Sequence, residues 1–136
     1  MRSVVDTNIL ISALISPTGN PAMIYDAWEA GRFTLLSCAE HLEELRATLH
    51  QPRVAALIKP HLAGYLIKQI RRLGEDVGRL PRVERSPDPD DDFLLAMAEA
   101  GKADYLVTGD KTGLLSLRRH KATRIVSARY FAALLA

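Results

Sequence analysis

A single cysteine, Cys38, excludes an internal disulfide and a cysteine-based zinc site, and it suits a reducing cytosol. No apolar run approaches the roughly 18 residues of a membrane span. A basic n-region followed by an apolar stretch and a small-residue cleavage site is missing as well. A cytoplasmic protein without membrane attachment is therefore expected. The familiar phosphate and hydrolase signatures are also absent: there is no P-loop, no GxGxxG after a strand, no G-x-S-x-G elbow and no H-E-x-x-H. His41, His50, His61 and His120 are scattered without ligand spacing and are expected at the surface. Repeats, low-complexity segments and linkers are lacking, so residues 1–136 are expected to form one domain with a proper core. The net charge of +2 is too small to identify a partner. Its distribution says more. No acidic residue follows Asp110, whereas Lys111, Arg118, Arg119, Lys121, Arg124 and Arg129 do. That segment reads as an anion-facing surface or, equally, as a solvated Arg-rich one.

What the chain does have is carboxylate, concentrated in one place. Ser86–Asp110 holds the densest acidic cluster, Asp88-Pro89-Asp90-Asp91-Asp92, then the apolar run Phe93-Leu94-Leu95-Ala96, then Tyr105-Leu106-Val107 and Thr108-Gly109-Asp110. Met1–Leu10 is its counterpart, with the apolar Ser3-Val4-Val5 ending in Asp6.

Short apolar strands alternate with helical periodicity along the whole chain. After Val5, Ile9, Leu10, Ala13 and Leu14 recur at helical spacing, with Thr7 or Asn8 as the cap. A second helix is predicted over Pro21–Ala30, stopped by Gly31. A strand over Phe33–Leu36 is followed by Ser37 as N-cap with Glu40 three residues on, a capping box for a helix bearing Leu42, Leu45 and Leu49. A short helical piece near Arg53–Ile58 and an amphipathic helix over Pro60–Leu73 come next. A third strand is expected near Leu80–Val83. After Tyr105–Val107, Lys111–Leu117 reads as a loop or short helical turn, Arg124–Val126 as a last strand, and Ser127 as the cap of a closing helix. This alternation predicts a three-layer α/β/α sandwich with a central, mainly parallel sheet.

Asp88 suits an N-cap, Pro89 the first helical position, and Asp90 and Asp91 the first turn, where negative charge complements the helix dipole. Asp92 has no such explanation and becomes the member of the run singled out for function, with Asp90 next. Asp6 and Asp110 each follow a buried strand, and ligands of open α/β sheets bind outside the carboxyl ends of the strands. Carboxylates gathered there without a cation would raise one another's pKa. A hard cation relieves that cost, and Mg²⁺ or Mn²⁺ suits an all-oxygen site. Such a cation can activate water and stabilise the attacking and leaving oxygens of a phosphodiester displacement. A fourth acid would come from Glu40, Glu43 or Glu44, and helical periodicity does not choose between Glu43 and Glu44.

These segments together resemble the PIN-domain ribonucleases, over essentially the whole chain and in order. The residues that carry the likeness are Val4-Val5-Asp6-Thr7-Asn8, Ser37 with Glu44-Leu45, Asp88–Asp92 with Phe93-Leu94-Leu95-Ala96, Tyr105–Asp110, and Arg124-Ile125-Val126-Ser127 with Tyr130-Phe131. The subgroup most similar is that of the toxin components of prokaryotic toxin–antitoxin systems. The resemblance implies metal-dependent cleavage of RNA that leaves a 5′-phosphate, a cognate antitoxin and a homodimer. It matches Asp6, Glu44, Asp92 and Asp110 to the acidic quartet, and it is what selects Glu44. Asn8 and Thr108 match supporting polar residues, and Asp90 or Asp91 remain as additional or outer-shell ligands. Lys111, Arg118, Arg119 and Arg124 would hold backbone phosphates.

Two other readings compete. A catalytically inactive RNA-binding or partner-binding module on the same fold would bind without turnover. A phosphoacceptor domain could use Asp110 with Thr108 and Lys111, but receivers of that kind need an acidic pair after the first strand, and here Asp6 is followed by Thr7-Asn8.

Overall fold

The structure, a computed structural model, describes all of residues 1–136. Its elements run β1 (Arg2–Val5), α1 (Thr7–Ile15), α2 (Asn20–Glu29), β2 (Thr34–Ser37), α3 (Ala39–Leu49), α4 (Pro52–Ala55), α5 (Pro60–Leu73) and β3 (Glu75–Asp76). A 3-10 turn over Pro89–Asp91 leads into α6 (Asp92–Ala100), then β4 (Tyr105–Val107), α7 (Leu114–Leu117), β5 (Arg119–His120), β6 (Thr123–Val126) and α8 (Ala128–Leu135). The six strands form one sheet in the order β3-β2-β1-β4-β6-β5. Every pairing is parallel except that of β5 with β6.

Strand side chains alternate between two faces, and each face has its own core. Val5, Leu35, Val107 and Val126 pack on one side with Ile9 and Leu10 of α1, Trp28 of α2, Leu45 of α3, Leu66 and Ile70 of α5, and Phe131 of α8. Val4, Leu36, Leu106 and Ile125 pack on the other with Leu94, Leu95 and Met97 of α6 and Leu114 of α7. The molecule is therefore the α/β/α sandwich expected, with helices on both faces of a mostly parallel sheet. The sheet reverses its order at β1: the chain first adds β2 and β3 on one side, then returns to place β4 on the other. In open α/β sheets the ligand crevice lies beyond the carboxyl ends of the strands at such a switch point, here those of β1 and β4.

Several local expectations are corrected. The third strand is Glu75–Asp76, not Leu80–Val83. Leu80 and Val83 do pack on the second core, but as irregular chain. The cap of α3 is Cys38, whose Sγ accepts from the His41 amide at 3.4 Å. Ser37 is unavailable because it continues β2, opposite Asp76. Asp6, rather than Thr7 or Asn8, occupies the N-cap position of α1. His41 and His120 are buried, not superficial. Burial lowers the His41 pKa to about 4, so this ring is neutral at pH 7, tilted against Phe93 with centroids 5.8 Å apart.

Candidate active site at the sheet switch point

The sheet ladder carries Asp6 and Thr108 to the switch point. The Asp6 amide donates to the Val107 carbonyl at 2.9 Å, and the Thr108 amide to the Val126 carbonyl at 3.0 Å. Both residues are buried. Although Asp6 stands at the N-cap position, its side chain makes no capping hydrogen bond. Instead its Oδ2 accepts from the Thr108 hydroxyl at 2.7 Å. That hydroxyl in turn accepts from the Asp110 amide at 3.2 Å. Thr108 thus couples the acid after β1 to the acid after β4. Asn8 lies in the first turn of α1 with an exposed side chain.

Asp110 is held from its far side. Its Oδ1 accepts from the Gly113 amide at 3.0 Å, and its Oδ2 accepts from the Leu114 amide at 3.4 Å. The approach is so close that a Cβ on residue 113 would lie 1.8 Å from Oδ2, which explains the glycine there.

The third acid comes from the run before α6, and the structure distinguishes its members. Asp88 caps the 3-10 turn by accepting from the Asp90 amide at 3.0 Å. Asp92 turns toward the preceding loop, where its Oδ1 accepts from the amides of Arg85 at 3.1 Å and Ser86 at 2.6 Å. Asp91 is the member that feels the other acids. Its pKa is raised to about 6, by burial first and then by the charges of Asp6, Asp88, Asp110 and Glu44. By its position in the run, Asp91 has a sufficient role in the helix start. Only the 3-10 turn over Pro89–Asp91, which rotates the run before α6 begins, reveals its direction.

On α3, Glu43 is exposed and Glu44 half-buried. Glu44 is raised by burial and by the charges of Asp6 and Asp90. The Thr7 hydroxyl lies close enough to oppose that shift, yet completes no hydrogen bond of good geometry. Asp6 is raised by burial and by Asp110, against the Thr108 hydroxyl and the amides of Thr7 and Asn8. Four acids from four segments therefore act on one another, and no basic side chain contributes to any of these shifts.

The basic residues divide. Lys111 follows Asp110 directly and is exposed at this edge. Arg119 and Arg124 face each other across the β5–β6 pairing, and Arg124 is level with Tyr105 at the start of β4. Both therefore sit toward the opposite end of the strands from the acids. Arg124 also stacks over the Tyr130 ring at 5.5 Å. Arg118 ends α7 between these two regions. An apolar groove of about 440 Å³ between α3, α4 and α5 contains none of the acids.

With this geometry in place, comparison with known families is decisive. The model of the PIN domain matches residues 2–112. The chain belongs to the PIN-domain family. No curated protein and no solved structure matches it. PIN domains have a nuclease-type fold and typically use divalent metals. In this PIN domain the donors suit such a cation: all are hard oxygens, they are mutually repulsive, and no protein cation compensates them. As placed, however, no three His, Cys, Asp or Glu side chains are grouped so that they could hold a metal ion. Mg²⁺ commonly keeps several waters and takes only one or two carboxylates directly, so this spacing does not conflict with its chemistry.

Proposed function

We propose that this PIN domain is a Mg²⁺- or Mn²⁺-dependent endoribonuclease and the toxin of a toxin–antitoxin pair. The observation that carries the reading is the gathering of four acids at the switch point: Asp6, Glu44 and Asp91 have raised pKa values, Asp110 is one of the charges acting on Asp6 and Asp91, and no basic side chain contributes. Asp6, Asp91 and Asp110 would hold the cation, and Glu44 would ligate it or orient water. A bound cation would supply activation of water and neutralise charge developing on the phosphodiester oxygens. Thr108 keeps the Asp6 carboxylate turned toward the crevice, and the Asp110 hydrogen bonds to Gly113 and Leu114 fix its position. Asp92 is assigned to holding the Arg85–Ser86 loop, in place of the ligand role suggested by sequence. Lys111 would meet the RNA backbone at the same edge.

Incubation of the pure protein with single-stranded and structured RNA, with Mg²⁺, with Mn²⁺ and with EDTA, tests this. Metal-dependent cleavage that disappears in Asp6→Asn is expected. Cleavage equal in wild type and Asp6→Asn would sink the assignment. The absence of a ready group of three ligands favours one alternative, a catalytically inactive RNA-binding module. That alternative gives binding without turnover in Mn²⁺. The toxin reading brings a cognate antitoxin and a homodimer with it. A neighbouring small reading frame whose product suppresses cleavage, and light scattering on the purified protein, address these.

A further inference from the structure

On the α6 side of the sheet, a second site lies apart from the acids. A pocket of about 450 Å³ is lined by Arg85, Leu117, Arg119, His120 and Lys121, four of them nitrogen-bearing. Arg85 is its organising residue. Its Nη1 donates to the Arg119 carbonyl at 2.6 Å and to His120 Nδ1 at 3.0 Å. With Nδ1 accepting, His120 donates through Nε2 to Glu99 Oε1 at 3.1 Å. His120 is buried, so the imidazole is a fixed platform for the guanidinium. No carboxylate pairs with the guanidinium of Arg85 or of Arg119; Glu99 is shared by His120 and Lys121, and Asp92 meets only the backbone amide of Arg85. The Nε and Nη2 edge of Arg85, the edge that grips an oxyanion with two parallel hydrogen bonds, has no partner. An immobilised, unpaired guanidinium beside a second one is preorganised for phosphate rather than for a protein carboxylate already in place.

The pocket is also tied to the start of α6, next to Asp91. The Arg85 backbone amide donates to Asp92 at the start of α6, while its guanidinium reaches residues bonded to Glu99. Those two positions on α6 are about 10 Å apart along the helix axis.

We propose that this pocket is a phosphate subsite that holds a backbone phosphate of the RNA strand away from the scissile bond, with Arg85 as its fork and Arg119 and Lys121 as its rim. The inference rests on the ribonuclease reading and adds Arg85, which no sequence pattern marks. The test is the affinity of the full-length protein for a short fluorescein-labelled single-stranded RNA in EDTA, measured over a range of salt. Arg85→Ala and Arg119→Ala are each expected to weaken binding about three- to tenfold and to lower the salt slope by about 0.7 per lost phosphate contact. Arg53→Ala, an exposed charge loss on α4, should leave both unchanged. Arg85→Lys should restore the slope but not the full affinity, because it keeps the charge and loses the fork. Arg119→Ala guards against the case in which Arg85→Ala merely loosens the loop, since the Arg119 carbonyl that anchors Arg85 is retained. Wild-type affinity and slope in both alanine variants would overturn the subsite and leave the nuclease reading standing. A wild-type protein that neither binds nor cuts RNA would overturn both.

Discussion

Asp91 and Asp92 are adjacent, chemically identical and differently used, which makes them a sharp test of the site. The Asp92 oxygen that accepts from Arg85 and Ser86 does so as an acceptor, a role an amide oxygen also fills. Asp92→Asn should therefore keep cleavage within a few-fold of wild type. Asp92→Ala leaves two amides without their partner and should cost about 1–3 kcal/mol in chemical denaturation. Asp91→Asn should behave in the opposite way. Removing a charge pressed by Asp6, Asp110 and Glu44 should raise the metal-free Tm, by roughly 3–5 °C if about 1 kcal/mol of repulsion is relieved. Cleavage should fall by about 100-fold or more, given that even outer-shell partners of a metal site are worth 10–100-fold. If Asp92→Asn is the inactive variant and Asp91→Asn the active one, the assignment of the two must be exchanged.

The loop from β4 to α7 carries a second test, because it fixes an acid without contributing one. Gly113→Ala puts a Cβ 1.8 Å from Asp110 Oδ2, so Asp110 must leave the α7 start. The variant should lose about 1–3 kcal/mol in urea unfolding and lose cleavage with all four acids intact. Thr108→Val should also reduce cleavage, by freeing Asp6, while Thr108→Ser should retain it. Full activity in Gly113→Ala would show that the position of Asp110 does not matter. The elements themselves differ in how visible they are in the sequence. β1, β4 and β6 are legible because each ends in an adjacent buried apolar pair, Val4-Val5, Leu106-Val107 and Ile125-Val126, one residue for each face of the sheet. α5 is legible over Pro60–Leu73 because a proline starts it and Gly74 follows. β3 is not, since its Glu75 and Asp76 are exposed and it is defined by backbone pairing alone. The apolar Leu80 and Val83 signal burial, which is real, but not pairing. β5 escapes for the same reason as β3: two residues in a hairpin leave no periodicity. Asp6, Glu44 and Asp110 could be nominated from their place after strands or from the family likeness. The choice within Asp88–Asp92 depends on a 3-10 turn, and Arg85 depends on a contact across 35 residues to His120.

For the molecule as a whole, gathering four acids at the switch point sets a pH dependence whose sign can be worked out. Asp6, Glu44 and Asp91 all have folded pKa values above their ordinary ones, Asp91 at about 6. Between about pH 4 and that range the folded state binds more protons than the unfolded state. Without metal, stability is therefore greatest at the acid end of this window and falls as pH rises through it, then levels. A bound cation would remove the repulsion that causes the fall, but below about pH 6 it would compete with protons for the same oxygens. Thermal unfolding with Mg²⁺ or Mn²⁺ against EDTA should then show a metal-induced rise in Tm that is large near pH 7.5 and small near pH 5. At a concentration 100 times Kd the stabilisation should approach about 2.7 kcal/mol. Asp6→Asn combined with Asp91→Asn should flatten both the metal-free pH profile and the metal effect. A metal effect of equal size at the two pH values, or one that survives in the double variant, would place the cation elsewhere on the molecule. The acids would then be left as an uncompensated cost that the fold carries for some other reason.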